Sequence, residues 1–272
     1  MNLVKLAILD LNNGFPNQGL RCIVDIAREF RSEVEFDIFD VRAKNEIPDL
    51  SYNIYLCSGG PGSPLLEGHQ WEENFLSLID NVWNHNKTAA EEDKKFMFFI
   101  CHSFQLACQH FGIATLTKRK STAFGIQPVH KTHWGLGDEI FKKLKNPFYV
   151  VESRDWQVVQ PDLGEFKKKG ASILALEKIR THVEYERAIM AVRFSDEMVG
   201  TQFHPEADAD GLIKYMESEE MKEKVITKHG AEKYHLTLQL LSEEDKIEQT
   251  RNIILPSFIA NCISRIKSPV LV

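Results

Sequence analysis

Lys95-Phe96-Met97-Phe98-Phe99-Ile100-Cys101-His102-Ser103-Phe104-Gln105 is the stretch on which the fold of this chain turns. Behind one lysine runs an unbroken apolar segment, the pattern of a strand buried on both faces of a parallel sheet. From Gln105 to Phe111 the apolar residues recur at helical spacing. Cys101 then falls on a strand-to-helix turn at the carboxyl end of a central strand. Open α/β sheets place ligands there, and the same geometry exposes the nucleophile in hydrolase elbows. The competing reading of Cys101 alone is a buried structural thiol.

Two further segments favour the first reading. Upstream, Tyr52-Asn53-Ile54-Tyr55-Leu56-Cys57 reads as a strand that runs into Ser58-Gly59-Gly60-Pro61-Gly62-Ser63-Pro64. Glycines there let backbone N–H groups approach a ligand closely, and acyl transfer needs such donors at a developing oxyanion. No Gly-Lys-Ser/Thr follows, so this is not a phosphate loop. Downstream, Ile189 to Phe194 and Met198 to Phe203 read as a hairpin that ends in His204-Pro205-Glu206. Residues two apart on an extended chain face the same way, and Pro205 biases His204 towards that conformation. Thiol, imidazole and carboxylate are together the parts of a nucleophilic triad.

In this order the three segments resemble the class I glutamine amidotransferase family, the triad or GMP-synthase-like type, over roughly residues 3 to 215. The resemblance implies Cys101 as nucleophile, His204 as general base and acid, and Glu206 as its orienting carboxylate. It implies the backbone N–H groups of Gly60 and His102 as oxyanion donors, with Gln105 and Gly59 beside the substrate. The implied substrate is L-glutamine or a related γ-glutamyl compound, hydrolysed through a thioester on Cys101 with neither metal nor organic cofactor. Ammonia would pass to a separate synthetase subunit, because the chain has no P-loop and no room for a second α/β domain. Alternatives are a γ-glutamyl hydrolase, a homoserine-acyltransferase-like enzyme and a non-catalytic scaffold that binds a metabolite or partner. Two positions depart from the family's pattern. Glycine usually stands two residues before and two after the nucleophile, where this chain has Phe99 and Ser103. Phe99 demands shifted packing or extra space in the core. Family members often carry a histidine and a small residue near Glu152 to Val158, where Arg154 and Asp155 receive no role.

Composition and organisation agree. The 272 residues carry a net charge of −6, with a pI near 6.0, which gives no reason to expect nucleic acid or an acidic membrane surface as partner. Five scattered cysteines without metal-ligand spacing suit a reducing compartment. No signal-peptide pattern and no apolar run of about 20 residues occurs, so a cytoplasmic protein without a membrane span is expected. Strands near 3–9, 34–39 and 52–57, with helices near 18–31 and 69–84, indicate a doubly wound, mostly parallel α/β sheet with helices on both faces. Short β segments are expected at 124–129, 148–151 and 172–176. The expected division is an amidotransferase-like domain over 1–217 and a helical C-terminal extension over 218–272. Candidate helices there are Lys222 to Leu241 and Glu243 to Ile266, the second interrupted by Pro256. The extension packs on the domain as a cap, forms a homodimer surface, or covers the thiol.

Overall fold

The computed structural model describes residues 3–15, 17–179, 187–243 and 246–267. The chain begins with β1 (Val4–Asp10), α1 (Gln18–Glu29), β2 (Val34–Asp40), α2 (Val41–Lys44) and β3 (Ile54–Cys57). It continues with α3 (Gln70–Asn86), β4 (Phe96–Ile100) and α4 (His102–His110). Next come β5 (Thr115–Lys131), α5 (His133–Gly137), β6 (Phe148–Val159), α6 (Leu163–Lys169) and β7 (Ser172–Glu177). The hairpin β8 (Ile189–Arg193) and β9 (Met198–Thr201) precedes α7 (Ala209–Glu217), α8 (Glu219–His229), α9 (Ala231–Leu241) and α10 (Ile247–Lys267).

The strands form a nine-stranded sheet in the order β2-β1-β3-β4-β9-β8-β7-β5-β6. Pairing is parallel from β2 to β9 and antiparallel from β9 to β6. The parallel half is the expected doubly wound sheet, with β4 an interior strand between β3 and β9. β5 and β6 are much longer than the segments read from sequence. Lys118-Arg119-Lys120-Ser121 and Glu152-Ser153-Arg154-Asp155 lack an apolar run, and their pairing breaks register between Lys118 and Ala123. Extended structure there comes from cross-strand partners, which a local pattern does not reveal.

Side chains of β4 alternate between two cores. Phe96, Phe98 and Ile100 face the layer of α1 and α10, and Met97 and Phe99 face that of α3 and α4. Phe98 meets Phe258 of α10 edge to face at 5.2 Å. α10 runs through Pro256 without interruption, contrary to the sequence reading. An interior proline costs roughly 3 kcal/mol. The buried Ile254, Leu255, Phe258, Ile259 and Ile263 offset it at roughly 1.5–3 kcal/mol each. The helix begins at Ile247, not at the expected Glu243, which lies in a bend after α9. The single helix expected over 222–241 is two, broken at Gly230 with φ 87°. These two pack with α7 on β5 and β6 around Ile126, Met216, Val225, Tyr234 and Leu241. Residues beyond 217 therefore serve two places, the main core and a small cluster over the antiparallel half.

Phe99 finds its space across the strand. It pairs in register with Gly200 of β9, where a Cβ would lie 3.0 Å from Phe99 Cβ and 2.9 Å from the Phe104 ring. The missing side chain of Gly200 accommodates the ring, which packs edge to face on Phe194 at 5.7 Å. Gly200→Ala should therefore destabilise the protein by about 1–3 kcal/mol, the usual cost of overpacking. The check is a lowered urea midpoint with an unchanged denaturant slope.

Candidate active site

The Cys101 turn is built first by the backbone. Cys101 has φ 51° and ψ −95°, a conformation that costs a residue with a side chain about 1–3 kcal/mol and persists only where its surroundings enforce it. Its N–H donates to the Thr201 carbonyl at 2.7 Å, tying the turn to β9. Ser103 supplies the second restraint. Its hydroxyl accepts from the Ile100 N–H at 2.8 Å and donates to the Cys57 carbonyl at 2.9 Å. The residue standing for the family's glycine thus clasps the ends of β3 and β4.

The glycine loop closes on this turn. A Cβ on Gly59 would come within 3.0 Å of His204 Cε1 and 3.5 Å of Cys101 Cβ, so Gly59 separates imidazole and thiol from the loop by bare backbone alone. A Cβ on Gly60 would strike the Leu11 carbonyl oxygen at 2.5 Å; only glycine fits. Arg42 of α2 holds the loop from behind, donating to the Pro61 carbonyl at 2.7 Å. Its guanidinium stacks over Trp71, 4.8 Å from the ring centre.

Opposite stands the end of β9. The His204 N–H donates to the Val151 carbonyl at 3.1 Å, a single antiparallel bridge to β6 that suits the backbone bias set by Pro205. Beyond it the extended chain expected from sequence does not continue, because Pro205 and Glu206 turn, and His204 and Glu206 meet across that turn. His204 Nδ1 lies 2.7 Å from Glu206 Oε1. A carboxylate only accepts, so Nδ1 carries the proton and Nε2 is left for the sulfur. Burial works against a charged ring, but Glu206 and Cys101 outweigh it and hold His204 well above an ordinary imidazole. The start of α1 lies against the carboxylate side, where Glu206 Oε2 has no hydrogen-bond partner among the described residues. A Cβ on Gly19 would lie 3.1 Å from Glu206 Oε1. Arg21 ion-pairs with Asp208, and the Cys22 thiol donates to the same carboxylate at 3.0 Å. Burial and that bond push Cys22 up to about 12.

Cys101, His204, Glu206, Gly59, Gly60, His102 and Gln105 all line one cleft of about 960 Å³. The two backbone donors and the three side chains expected to act together are thus brought to one place. Gln105, 3% exposed, turns its amide nitrogen away from the cleft to Gln202 at 3.0 Å. Arg154, without a role from sequence, is buried against Glu152 at 2.9 Å. Asp155 on the rim bonds the Thr122 hydroxyl. Sequence reasoning passed over Arg42, Gly19, Asp208 and Gln202. Gln202 adjoins Phe203-His204 and was open to notice, whereas the others become relevant only through folding.

The His102 side chain is separate from its backbone role. The ring is 2% exposed beside Trp71, and its Nε2 has no hydrogen-bond partner. Burial, then the charge of Arg42, lowers its pKa to about 4. Between that value and the ordinary 6.5, the unfolded chain binds a proton that the folded chain refuses. Stability from this group is complete above pH about 6.5 and is lost as pH falls towards about 4, by up to about 3 kcal/mol. His102→Phe should flatten that acid limb in urea denaturation across this range, while leaving the backbone N–H in place.

Comparison with solved structures agrees with the fold. A glutamine amidotransferase from Thermotoga maritima superposes with a TM-score of 0.71 at 18% identity, over 97% of this chain and 99% of that one. The helices after residue 217 thus belong largely to the shared fold. A glutamine amido transferase from Methylobacillus flagellatus gives 0.58 at 14% identity, over 97% and 92%. The CTPS glutaminase domain from Trypanosoma brucei, with acivicin bound, gives 0.54 at 14% identity, over 75% and 86%. No curated protein matches the sequence significantly. The profile of the glutamine amidotransferase class-I family matches residues 15–219, most of the chain, and the protein belongs to that family.

Proposed function

We propose that this protein hydrolyses the side-chain amide of L-glutamine through a γ-glutamyl thioester on Cys101, and delivers ammonia to a separate synthetase subunit in the cytoplasm. The observation that carries the reading is the convergence of a strained cysteine turn, a glycine loop and a carboxylate-bound histidine on one cleft. The Cys101 thiolate attacks the amide carbon, and the oxyanion settles against the N–H groups of Gly60 and His102. His204, charged at rest, gives its Nε2 proton to the nitrogen as the C–N bond breaks, and ammonia leaves. Neutral His204 then takes a proton from water, which attacks the thioester. The C–S bond breaks, leaving thiolate and imidazolium, and glutamate departs as its new γ-carboxyl group gives its remaining proton to solvent. Glu206 holds Nδ1–H throughout, fixing the tautomer.

The family supports amide hydrolysis in general, and among the described residues no helix is long and apolar enough to cross a membrane. The decisive test is ammonia release from L-glutamine by the purified chain. Release that vanishes in Cys101→Ala, with an acyl adduct detected by intact mass in the parent, is expected. Absence of both release and adduct, even with an electrophilic glutamine analogue, overturns the reading in favour of a scaffold.

One observation favours a second reading, a larger γ-glutamyl amide as substrate. The cleft is at the upper end of volumes that hold drug-sized ligands, more than one glutamine fills. Lys224 and Lys228 of α8 line it, one helical turn apart, with neither ion-paired among the described residues. Like charges at that spacing disfavour a helix by roughly 0.2–0.5 kcal/mol, which a bound anion relieves. On this reading γ-glutamyl-glutamate is turned over with a higher kcat/KM than glutamine. The Lys224→Glu/Lys228→Glu variant then loses that preference, at least several-fold, and keeps its glutamine rate. Equal use of both substrates by parent and variant leaves glutamine hydrolysis alone.

A further inference from the structure

Two primary amides close the floor beneath the Cys101 sulfur. Gln202 is 1% exposed and Gln105 is 3% exposed. Gln105 Nε2 lies 3.4 Å from the Trp156 carbonyl oxygen and 3.0 Å from Gln202 Oε1. Gln202 Nε2 lies 3.8 Å from Cys101 Sγ. The direction of this chain is not a free choice. A backbone carbonyl only accepts, and the Trp156 carbonyl also receives Arg154 Nη1 at 3.0 Å. Gln105 must therefore turn its NH₂ towards Trp156. That same nitrogen faces Gln202, so Gln202 must answer with its oxygen. Its own NH₂ is then left for the sulfur. Reversing either amide would set oxygen against oxygen or N–H against N–H where neither group can turn to solvent, a cost the fold avoids.

We infer that Gln202 is a further catalytic residue, an N–H donor to the Cys101 sulfur that stabilises the thiolate, with its polarity imposed through Gln105 by the Trp156 carbonyl. The inference rests on Cys101 being the nucleophile of the proposed reaction. A hydrogen bond to an ionised acceptor is stronger than one to a neutral thiol or thioester. Gln202 therefore favours the thiolate both at rest and as the leaving group of the second half-reaction, while His204 handles protons from another side. The same chain limits Gln105. Both of its N–H groups are spent inward, so only its oxygen can face a substrate, and the substrate group it meets must be a donor, an ammonium or an amide NH₂.

The test is the rate of iodoacetamide alkylation at Cys101, read by peptide mass across a pH series, in the parent, Gln202→Leu and Gln202→Glu. Loss of the donor should slow alkylation about three- to ten-fold at neutral pH, the size expected of one charge-assisted hydrogen bond softened by the higher nucleophilicity of a more basic thiolate. Gln202→Leu should equal or overtake the parent at alkaline pH, where both are ionised. Gln202→Glu, which sets a carboxylate against the sulfur, should lose more. A rate reduced by one constant factor at every pH, or unchanged throughout, would show a purely structural residue and overturn the inference. Should Gln202→Leu fail to fold, Gln105→Leu carries the same test. It releases the polarity of Gln202 and should give a smaller loss in the same direction, and no change overturns the inference equally. Alkylation needs no substrate, so a parent that alkylates as expected but neither releases ammonia nor forms an adduct with a glutamine analogue would sink the proposed function and the catalytic role of Gln202 with it, and leave standing only the hydrogen bond from Gln202 to the Cys101 thiolate.

Discussion

The Ser103 hydroxyl holds the geometry on which the cleft depends. It bonds the Ile100 N–H and the Cys57 carbonyl, and so joins the end of β4 to the end of β3 directly beneath the strained Cys101. Cys101 cannot relax towards a common conformation without breaking one of these bonds or its own bond to Thr201. All of these groups are buried, so each loss would leave an unsatisfied polar atom at about 1–3 kcal/mol. That is enough to sustain the strain of one residue with φ > 0. Glycine at position 103 could not supply the clasp.

Around that clasp the site is assembled from four directions. The β3 loop brings Gly59 and Gly60, and the end of β9 brings His204 and Glu206. α1 packs bare backbone at Gly19 against Glu206 and holds the Asp208 carboxylate through Arg21 and Cys22, and α8 contributes a cationic wall. Each arrives from a separate element, but the elements are welded to one another through shared cores. α10 packs against β4 through Phe258, and α7 to α9 pack on β5 and β6. The helices beyond residue 217 thus do more than cover the domain, since α8 shapes the mouth of the cleft.

Electrostatics inside the cleft follow from burial and partner. His204 is held charged because a buried carboxylate on one side and sulfur on the other outweigh desolvation. One position along from Cys101, the His102 ring beside Trp71 is held neutral by its burial and by the positive charge of Arg42. Two histidines in one site therefore differ in charge at neutral pH, and their immediate neighbours set the difference.

Much of this was legible in the residues alone. The apolar run of β4, the glycine loop and the His204-Pro205-Glu206 segment each depend on local backbone preference, a property of short stretches, although His204 and Glu206 meet across a turn and not by alternation along a strand. They sufficed for the parallel half of the sheet and for the residues at the carboxyl ends of its strands. Other features depend on what lies across a strand or a cleft. Gly200 makes room for Phe99, Pro256 sits within an unbroken α10, β5 and β6 extend through polar sequence, and Trp156 sets the direction of two distant amides. In each case the partner is tens of residues or more away in the chain, and its effect is steric exclusion or hydrogen-bond polarity. Sequence therefore determined which chemical groups this protein carries and the strands that present them. Tertiary structure decided their spacing, charge and orientation, because those are set by contacts that exist only once the sheet has closed.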